Sequence, residues 1–237
     1  MKFELFLLNK AKEKKRSYDL NPFSISCEYI FSACAKSPEI KQLLAKSSLF
    51  FKNKPLNVIH CAGKVGGLGG NMNFKGEFFY DNIMINTNVI ESCRKYGVKF
   101  LVNDDPILAL KVNADGCHLG QKDMSIIKAK KILKNKIIGI TCHNSIRLAK
   151  KALMNGANYI AVGAFFKTKT KKVKFSAKPS ILRKIKKFSD NPIVAIGGIN
   201  EKNYRKLLLN KASFLAISGY IWNNNKYKPY EAIERLK

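Results

Sequence analysis

The sequence predicts an α/β fold, a (β/α)8 TIM barrel folded as a single domain over residues 1–237, and three observations predict it. From residue 98 onward, short apolar runs alternate with helix-period segments at a regular beat. The runs are apolar on both faces, as parallel strands covered by helices are. Polar and glycine residues gather just beyond the runs, at the carboxyl ends where such a barrel carries its chemistry. A chain of 237 residues with 46% hydrophobic content is long enough to bury this core.

In chain order, FELFLL and LNVIHC are the first two expected strands, with CEYIFSACAKSPEIKQLLAK and DNIMINTNVIESCRKYG as the helices behind them. VKFLVND, DGCHLG, KIIGITC, YIAVGAF, PIVAIGG and FLAISGY follow as six further buried strands. Between them PILALKVN, MSIIKAKKILKN, SIRLAKKALMNG, SILRKIKKFS and NYRKLLLNK have helical period, and KPYEAIERL closes the chain. Residues 9–26 and 62–78 are the irregular parts. The expected division is an atypical part over 1–97, containing a candidate chimeric segment over 56–98, and a regular barrel part over 98–237.

Composition narrows the function classes. FELFLL is too short for a secretory hydrophobic region and no run approaches 18 apolar residues, so a soluble cytoplasmic protein without a membrane partner is expected. The six cysteines lack C-x-x-C spacing, which fits reduced thiols. The net charge of +28 is spread over nearly every helix, as in KAKKILKNK and LRKIKKF, instead of being concentrated or interleaved with aromatics. It reads as solvated lysine faces, in the manner of A+T-rich codon usage, with no specific nucleic-acid partner.

The stretch NVIHCAGKVGGLGGNMNF puts a strand before glycine-rich backbone, yet its spacing fits neither G-x-G-x-x-G nor G-x-x-x-x-G-K-[ST]. The residues beyond the later strands are more informative. Asn103 and Asp104 end one strand, Gln121 and Asp123 follow the next, and Thr141 and His143 end a third. Thr168, Thr170 and Lys171 follow a fourth, Gly197 and Gly198 a fifth, and Ser218 and Gly219 the last. Two carboxylates from neighbouring strands suit Mg²⁺ shared with a substrate phosphate. Strand-end glycines and hydroxyls beside a lysine suit a second phosphate. Asp105, directly before Pro106, reads as a helix N-cap. His60-Cys61, Cys117-His118 and Cys142-His143 raise zinc ligation, but neighbours in a strand point to opposite faces and do not converge.

LVNDDPILALKVNADGCHLGQKDM, IIGITCH, ANYIAVGAFFKTKTKK, PIVAIGGI and FLAISGYI resemble, in order over residues 98–222, the successive motifs of thiamine phosphate synthases. The resemblance implies a Mg²⁺-dependent transferase that joins the small molecules hydroxymethylpyrimidine diphosphate and thiazole phosphate and releases pyrophosphate. It implies Asn103 on the diphosphate and Asp104 and Asp123 on the metal. Lys171 and Thr141, the latter standing where the family has a serine, would act on the pyrophosphate. Thr168 and Thr170 would face the thiazole phosphate, and Gly198, Ser218 and Gly219 would bind it through backbone N–H groups. If the C–O bond breaks ahead of attack, metal and lysine act electrostatically and no side-chain nucleophile is needed.

The family's Q-x-R-x-K pattern is absent from the second strand, where His60 and Lys64 are the polar residues and Lys64 the substitute cation. Residues 56–98 instead resemble an interior piece of GDP-fucose synthase. The glycine fingerprint of such dehydrogenases is missing, and Tyr96 and Lys99 are one position too close for their Y-x-x-x-K pair. Two alternatives stand beside the transferase: a thiazole tautomerase-like isomerase using His143 as acid or base, and a non-catalytic phosphate binder lacking the diphosphate clamp. A homo-oligomer is left open by the sequence.

Overall fold

The computed structural model describes residues 99–168 and 175–236, the strands β1 (Phe6–Asn9), β2 (Cys27–Ile30) and β3 (Asn57–His60), and helical positions at Thr87, Ile90, Glu91, Arg94 and Lys95. Strands β4 (Lys99–Asn103), β5 (Gly116–Leu119), β6 (Ile137–Thr141), β7 (Tyr159–Gly163), β8 (Ile193–Ile196) and β9 (Phe214–Ala216) follow. They alternate with helices α1 (Pro106–Lys111), α2 (Ile126–Leu133), α3 (Ile146–Met154), α4 (Ser180–Lys186) and α5 (Tyr204–Leu209). The short α6 (Gly219–Trp222) and α7 (Pro229–Glu234) end the chain.

The strands form one sheet in the order β2-β1-β9-β8-β7-β6-β5-β4-β3. Strands β3 to β9 run parallel, each beside its sequence neighbour, as consecutive βαβ units require. The architecture is α/β with a TIM-like parallel sheet.

Two expectations are corrected at the N-terminal side. The first strand forms but lies antiparallel to both β9 and β2, so the sheet is not all parallel. CEYI, expected to open a helix, is instead strand β2, which brings the described strands to nine. The intervening sequence, KAKEKKRSYDLNPFSIS, lacks the apolar stripe of a crossover helix, and antiparallel pairing needs no crossover.

Alternation along the parallel strands divides their side chains between two faces. Phe100, Val102, Cys117, Leu119, Ile138, Ile140, Ile160, Val162, Ile193 and Ala195 join the larger core, together with the apolar stripes of the helices. Leu182 and Ile185 of α4 are fully buried there. Truncating either to alanine costs about 2–5 kcal/mol. The opposite face carries a smaller cluster of Leu101, Tyr159, Ala161, Val194 and Ala216. Caps fix where the helices start: Asp105 Oδ1 accepts from the N–H groups of Ile107 and Leu108, both at 2.9 Å, as expected of an N-cap. Ser145 caps α3 by accepting from Leu148 N–H at 3.2 Å. Among the described residues no helix is long and apolar enough to cross a membrane.

Candidate active site

The parallel register carries the ends of β4 to β9 to one side of the sheet, where Asn103 pairs with His118, Thr141 with Ala161, and Gly163 with Ile196. Asn103, Asp104, Gln121, Asp123, Thr141, His143, Thr168, Gly197, Gly198, Ser218 and Gly219 therefore lie along one rim. Lys64, Thr170 and Lys171 lie outside the described residues.

At the end of β4, adjacent aspartates take different tasks. Asp105 is held by the start of α1, whereas Asp104 has a left-handed backbone (φ 69) and is exposed. The Asp104 N–H donates to the His118 carbonyl at 2.7 Å, tying the β4 end to β5. Asp123 is half-buried, and its Oδ2 accepts from the Gly120 N–H at 2.6 Å, which fixes the carboxylate in the turn after β5. The Cys117 thiol is pushed up to about 12, chiefly by burial and then by the charges of Asp104, Asp105 and Asp123. Both expected metal carboxylates thus act on the same β5 residue.

Thr141 ends the inner face of β6. Its hydroxyl is 2.8 Å from His118 Nε2, and its carbonyl accepts from Gln121 Nε2 at 2.5 Å. The other ring nitrogen of His118 lies 2.8 Å from the Tyr159 hydroxyl, and the two rings stack with centroids 5.5 Å apart. Burial lowers the His118 pKa to about 4, with Asp123 opposing the shift, so the ring is neutral at physiological pH. This pairing escapes a reading of strand ends, because Tyr159 opens its strand. The sequence signal for it is Gly139, a glycine inside an otherwise apolar strand.

His143 also has positive φ (52); its carbonyl accepts from the Gly163 N–H at 2.9 Å and its ring tilts against Phe175 with centroids 4.6 Å apart. Gly197 (φ 97) and Gly198 (φ 65) turn the chain after β8 against the 164–167 segment. Phe165 N–H donates to Ile196 O at 3.0 Å and Phe166 N–H to Gly197 O at 3.1 Å, while Asn203 Nδ2 donates to Gly198 O at 3.0 Å. Half-buried Thr168 extends from that segment. Ser218 precedes α6, its carbonyl accepting from Ile221 N–H at 3.0 Å.

Among the described residues no three His, Cys, Asp or Glu side chains gather as a protein-only metal cage. Cys117 and Cys142 are buried in the outer-face core while His118 faces inward, as alternation requires. Two neighbouring carboxylates, one exposed and one with a single oxygen engaged by backbone, are the donor set that suits Mg²⁺ shared with phosphate and water.

The family described as Thiamine monophosphate synthase matches residues 83–221. The chain belongs to the thiamine monophosphate synthase family. A thiamine-phosphate synthase of Pelagibacter ubique is 64% identical over 166 residues, which is 70% of this chain and 80% of the relative. One of Marinobacter nauticus is 40% identical over 61% of this chain and 65% of its own length. A solved structure named thiamine phosphate pyrophosphorylase, from Pyrococcus furiosus, superposes with TM-score 0.62 at 27% identity, covering 85% of this chain and 88% of that one. A mutant tryptophan synthase alpha-subunit from Pyrococcus furiosus, 12% identical with TM-score 0.59, shares the fold over 86% of this chain and 94% of its own.

The NAD dependent epimerase/dehydratase family matches residues 40–103, so the two family matches overlap over residues 83–103. The second match is in weak accord with the resemblance of 56–98 to a sugar-nucleotide dehydrogenase. Likeness to the thiamine monophosphate synthase family reaches upstream of residue 98, because 166 matched residues cannot fit between 98 and 237.

Proposed function

We propose that this chain is a thiamine-phosphate synthase, a transferase coupling hydroxymethylpyrimidine diphosphate to thiazole phosphate with release of pyrophosphate. The observation that carries the reading is the single rim on which Asn103, Asp104, Asp123 and Thr141 stand at the ends of β4 to β6, with Gly198, Ser218 and Gly219 at the ends of β8 and β9. It supports a two-part anion cradle, diphosphate at one side and monophosphate at the other.

Asp104 and Asp123 would hold Mg²⁺, which when bound supplies charge neutralisation to the departing diphosphate. Asn103 and the Thr141 hydroxyl donate hydrogen bonds to the same anion, and Lys171 adds fixed positive charge. Thr168, Thr170 and the backbone N–H groups of Gly198, Ser218 and Gly219 orient the thiazole phosphate so that its ring nitrogen faces the methylene carbon that carries the diphosphate. Alignment of the two substrates and stabilisation of the leaving anion are then the work of the site. His143 borders the substrates, and Lys64 takes part of the charge that Q-x-R-x-K would carry. In this reading residues 1–237 form one TIM-like barrel acting in the cytoplasm on small molecules. In the same reading residues 98–237 carry the typical part and 1–97 the atypical part.

The test incubates the chain with both substrates and Mg²⁺ and follows thiamine phosphate and pyrophosphate together. Equimolar formation of both, lost in Asp123→Asn, is expected. Absence of both products from folded wild-type protein overturns the reading in favour of the non-catalytic phosphate binder.

A further inference from the structure

Three strands carry a polar chain of which the proposed chemistry uses only the outer end, Thr141. In the register, His118 of β5, Gly139 of β6 and Tyr159 of β7 stand side by side. Gly139 separates the histidine and tyrosine strands, and a Cβ there would lie 1.9 Å from Tyr159 Cζ and 2.4 Å from its hydroxyl. The missing side chain is the space that the phenol fills. Across that gap Tyr159 reaches His118 Nδ1, and His118 Nε2 reaches the Thr141 hydroxyl, each at 2.8 Å. His118 is 6% exposed and Tyr159 8%.

We propose that Tyr159 and His118 are positioning residues that set the hydroxyl of Thr141 as a hydrogen-bond donor to the substrate diphosphate. A neutral imidazole has one donor and one acceptor nitrogen, so its two partners are forced into opposite roles. A phenolic oxygen shares its lone pairs with the ring and is a poorer acceptor than an aliphatic hydroxyl. Tyr159 therefore donates to Nδ1, leaving the proton on Nε2, and Nε2–H donates to Thr141 Oγ1. With its acceptor side taken, the threonine hydroxyl presents its proton to the rim. In the opposite tautomer Thr141 would donate inward and turn a lone pair toward an anion. Gly139 permits the contact, Tyr159 selects the tautomer, His118 transmits it, and Thr141 presents the proton. The same reasoning accommodates the family's serine at this position, because only the hydroxyl is used. The inference rests on the diphosphate-binding reading of Thr141.

Two measurements test it, one independent of activity. The chain has three histidines, so ¹⁵N-imidazole spectra of the substrate-free protein can be assigned by single substitutions. His118 is expected as the Nε2–H tautomer in wild type, with that preference weakened in Tyr159→Phe; a dominant Nδ1–H form in wild type overturns the proposal even if the enzyme is active. The second measurement is a cycle on pyrophosphate release. Tyr159→Phe should lower kcat by roughly 10-fold, the order of one lost buried hydrogen bond, with little change in KM for thiazole phosphate. In a Thr141→Val background the same substitution should have no further effect on kcat, whereas Thr141→Ser should retain both the activity and the sensitivity to Tyr159→Phe. Equal losses in both backgrounds assign Tyr159 a merely structural role and overturn the proposal. An inactive wild type with the Nε2–H tautomer refutes the thiamine-phosphate synthase reading while leaving the hydrogen-bond order intact.

Discussion

Gly198→Ala tests whether the turn after β8 supports the proposed monophosphate side of the rim. The added Cβ would lie 2.4 Å from the Lys167 carbonyl oxygen and 2.7 Å from that of Phe166. Both are backbone atoms, so relief requires the 164–168 segment to withdraw by roughly 1 Å, taking Thr168 with it. A left-handed backbone costs an L-residue about 1–2 kcal/mol, and overpacking adds about 1–3 kcal/mol. Set against a typical stability of about 5–15 kcal/mol, the variant should fold with a lowered melting temperature. A 1 Å misplacement of a binding group costs about 100-fold, so kcat/KM for thiazole phosphate should fall by roughly that factor. KM for the pyrimidine diphosphate should change little. Pyrophosphate release with each substrate varied in turn measures both, alongside thermal denaturation. Gly156→Ala is the control, because Gly156 (φ 85), just after α3, has a similar backbone but its Cβ would meet the flexible end of Lys130 of α2. It should lose stability and keep its kinetics. Wild-type kinetics in a folded Gly198→Ala protein would refute the assignment of this turn to the phosphate site.

Three further outcomes are expected. Thiazole phosphate should bind in EDTA with an affinity within a few-fold of that in Mg²⁺, because the groups proposed to hold it need no metal; calorimetry showing binding only with Mg²⁺ would reassign the phosphate. Lys64→Ala should lower turnover with the pyrimidine diphosphate by roughly 30-fold or more, corresponding to about 2 kcal/mol for a buried phosphate partner. Thiazole phosphate affinity should be unaltered, and kinetics within about twofold would make Lys64 a bystander. His118 gives a signed pH effect: its folded pKa of about 4 lies below the ordinary 6.5, so the unfolded chain takes up the proton first. Stability from this group is full above 6.5 and is lost as pH falls toward 4, by up to about 3 kcal/mol. Urea titrations of wild type and His118→Gln between pH 7 and 4.5 should therefore differ in slope, and parallel curves would contradict the burial.

The strands from β4 to β9 were legible because residues such as Ile138, Ile160 and Ile193 sit in runs too apolar and too short for surface helices. Their carboxyl ends were legible with them, which is why Asn103, Asp104, Thr141 and Gly198 could be named. CEYI was not, since a short run ahead of SACAKSPEIKQLL fits either period and only pairing with β1 decides it. The direction of β1 was hidden for the same reason: whether a strand runs parallel depends on what its connection can bury. Zinc ligation by Cys117-His118 was set aside on strand alternation, but the engagement of His118 by Tyr159 and Thr141 was not legible. That contact spans 41 residues of sequence and depends on the register of three strands and the space above Gly139.

The left-handed backbone at Asp104 also limits how this rim can be re-engineered. A φ of 69 is tolerated by aspartate, asparagine and glycine, and strongly opposes β-branched residues. Glutamate, the usual means of lengthening a carboxylate to suit a larger cation, would start from a disfavoured conformation there. Position 123 carries no such backbone restriction among the positive-φ residues described. Libraries aimed at the proposed metal site should therefore vary the β5 turn and leave the β4 end as aspartate.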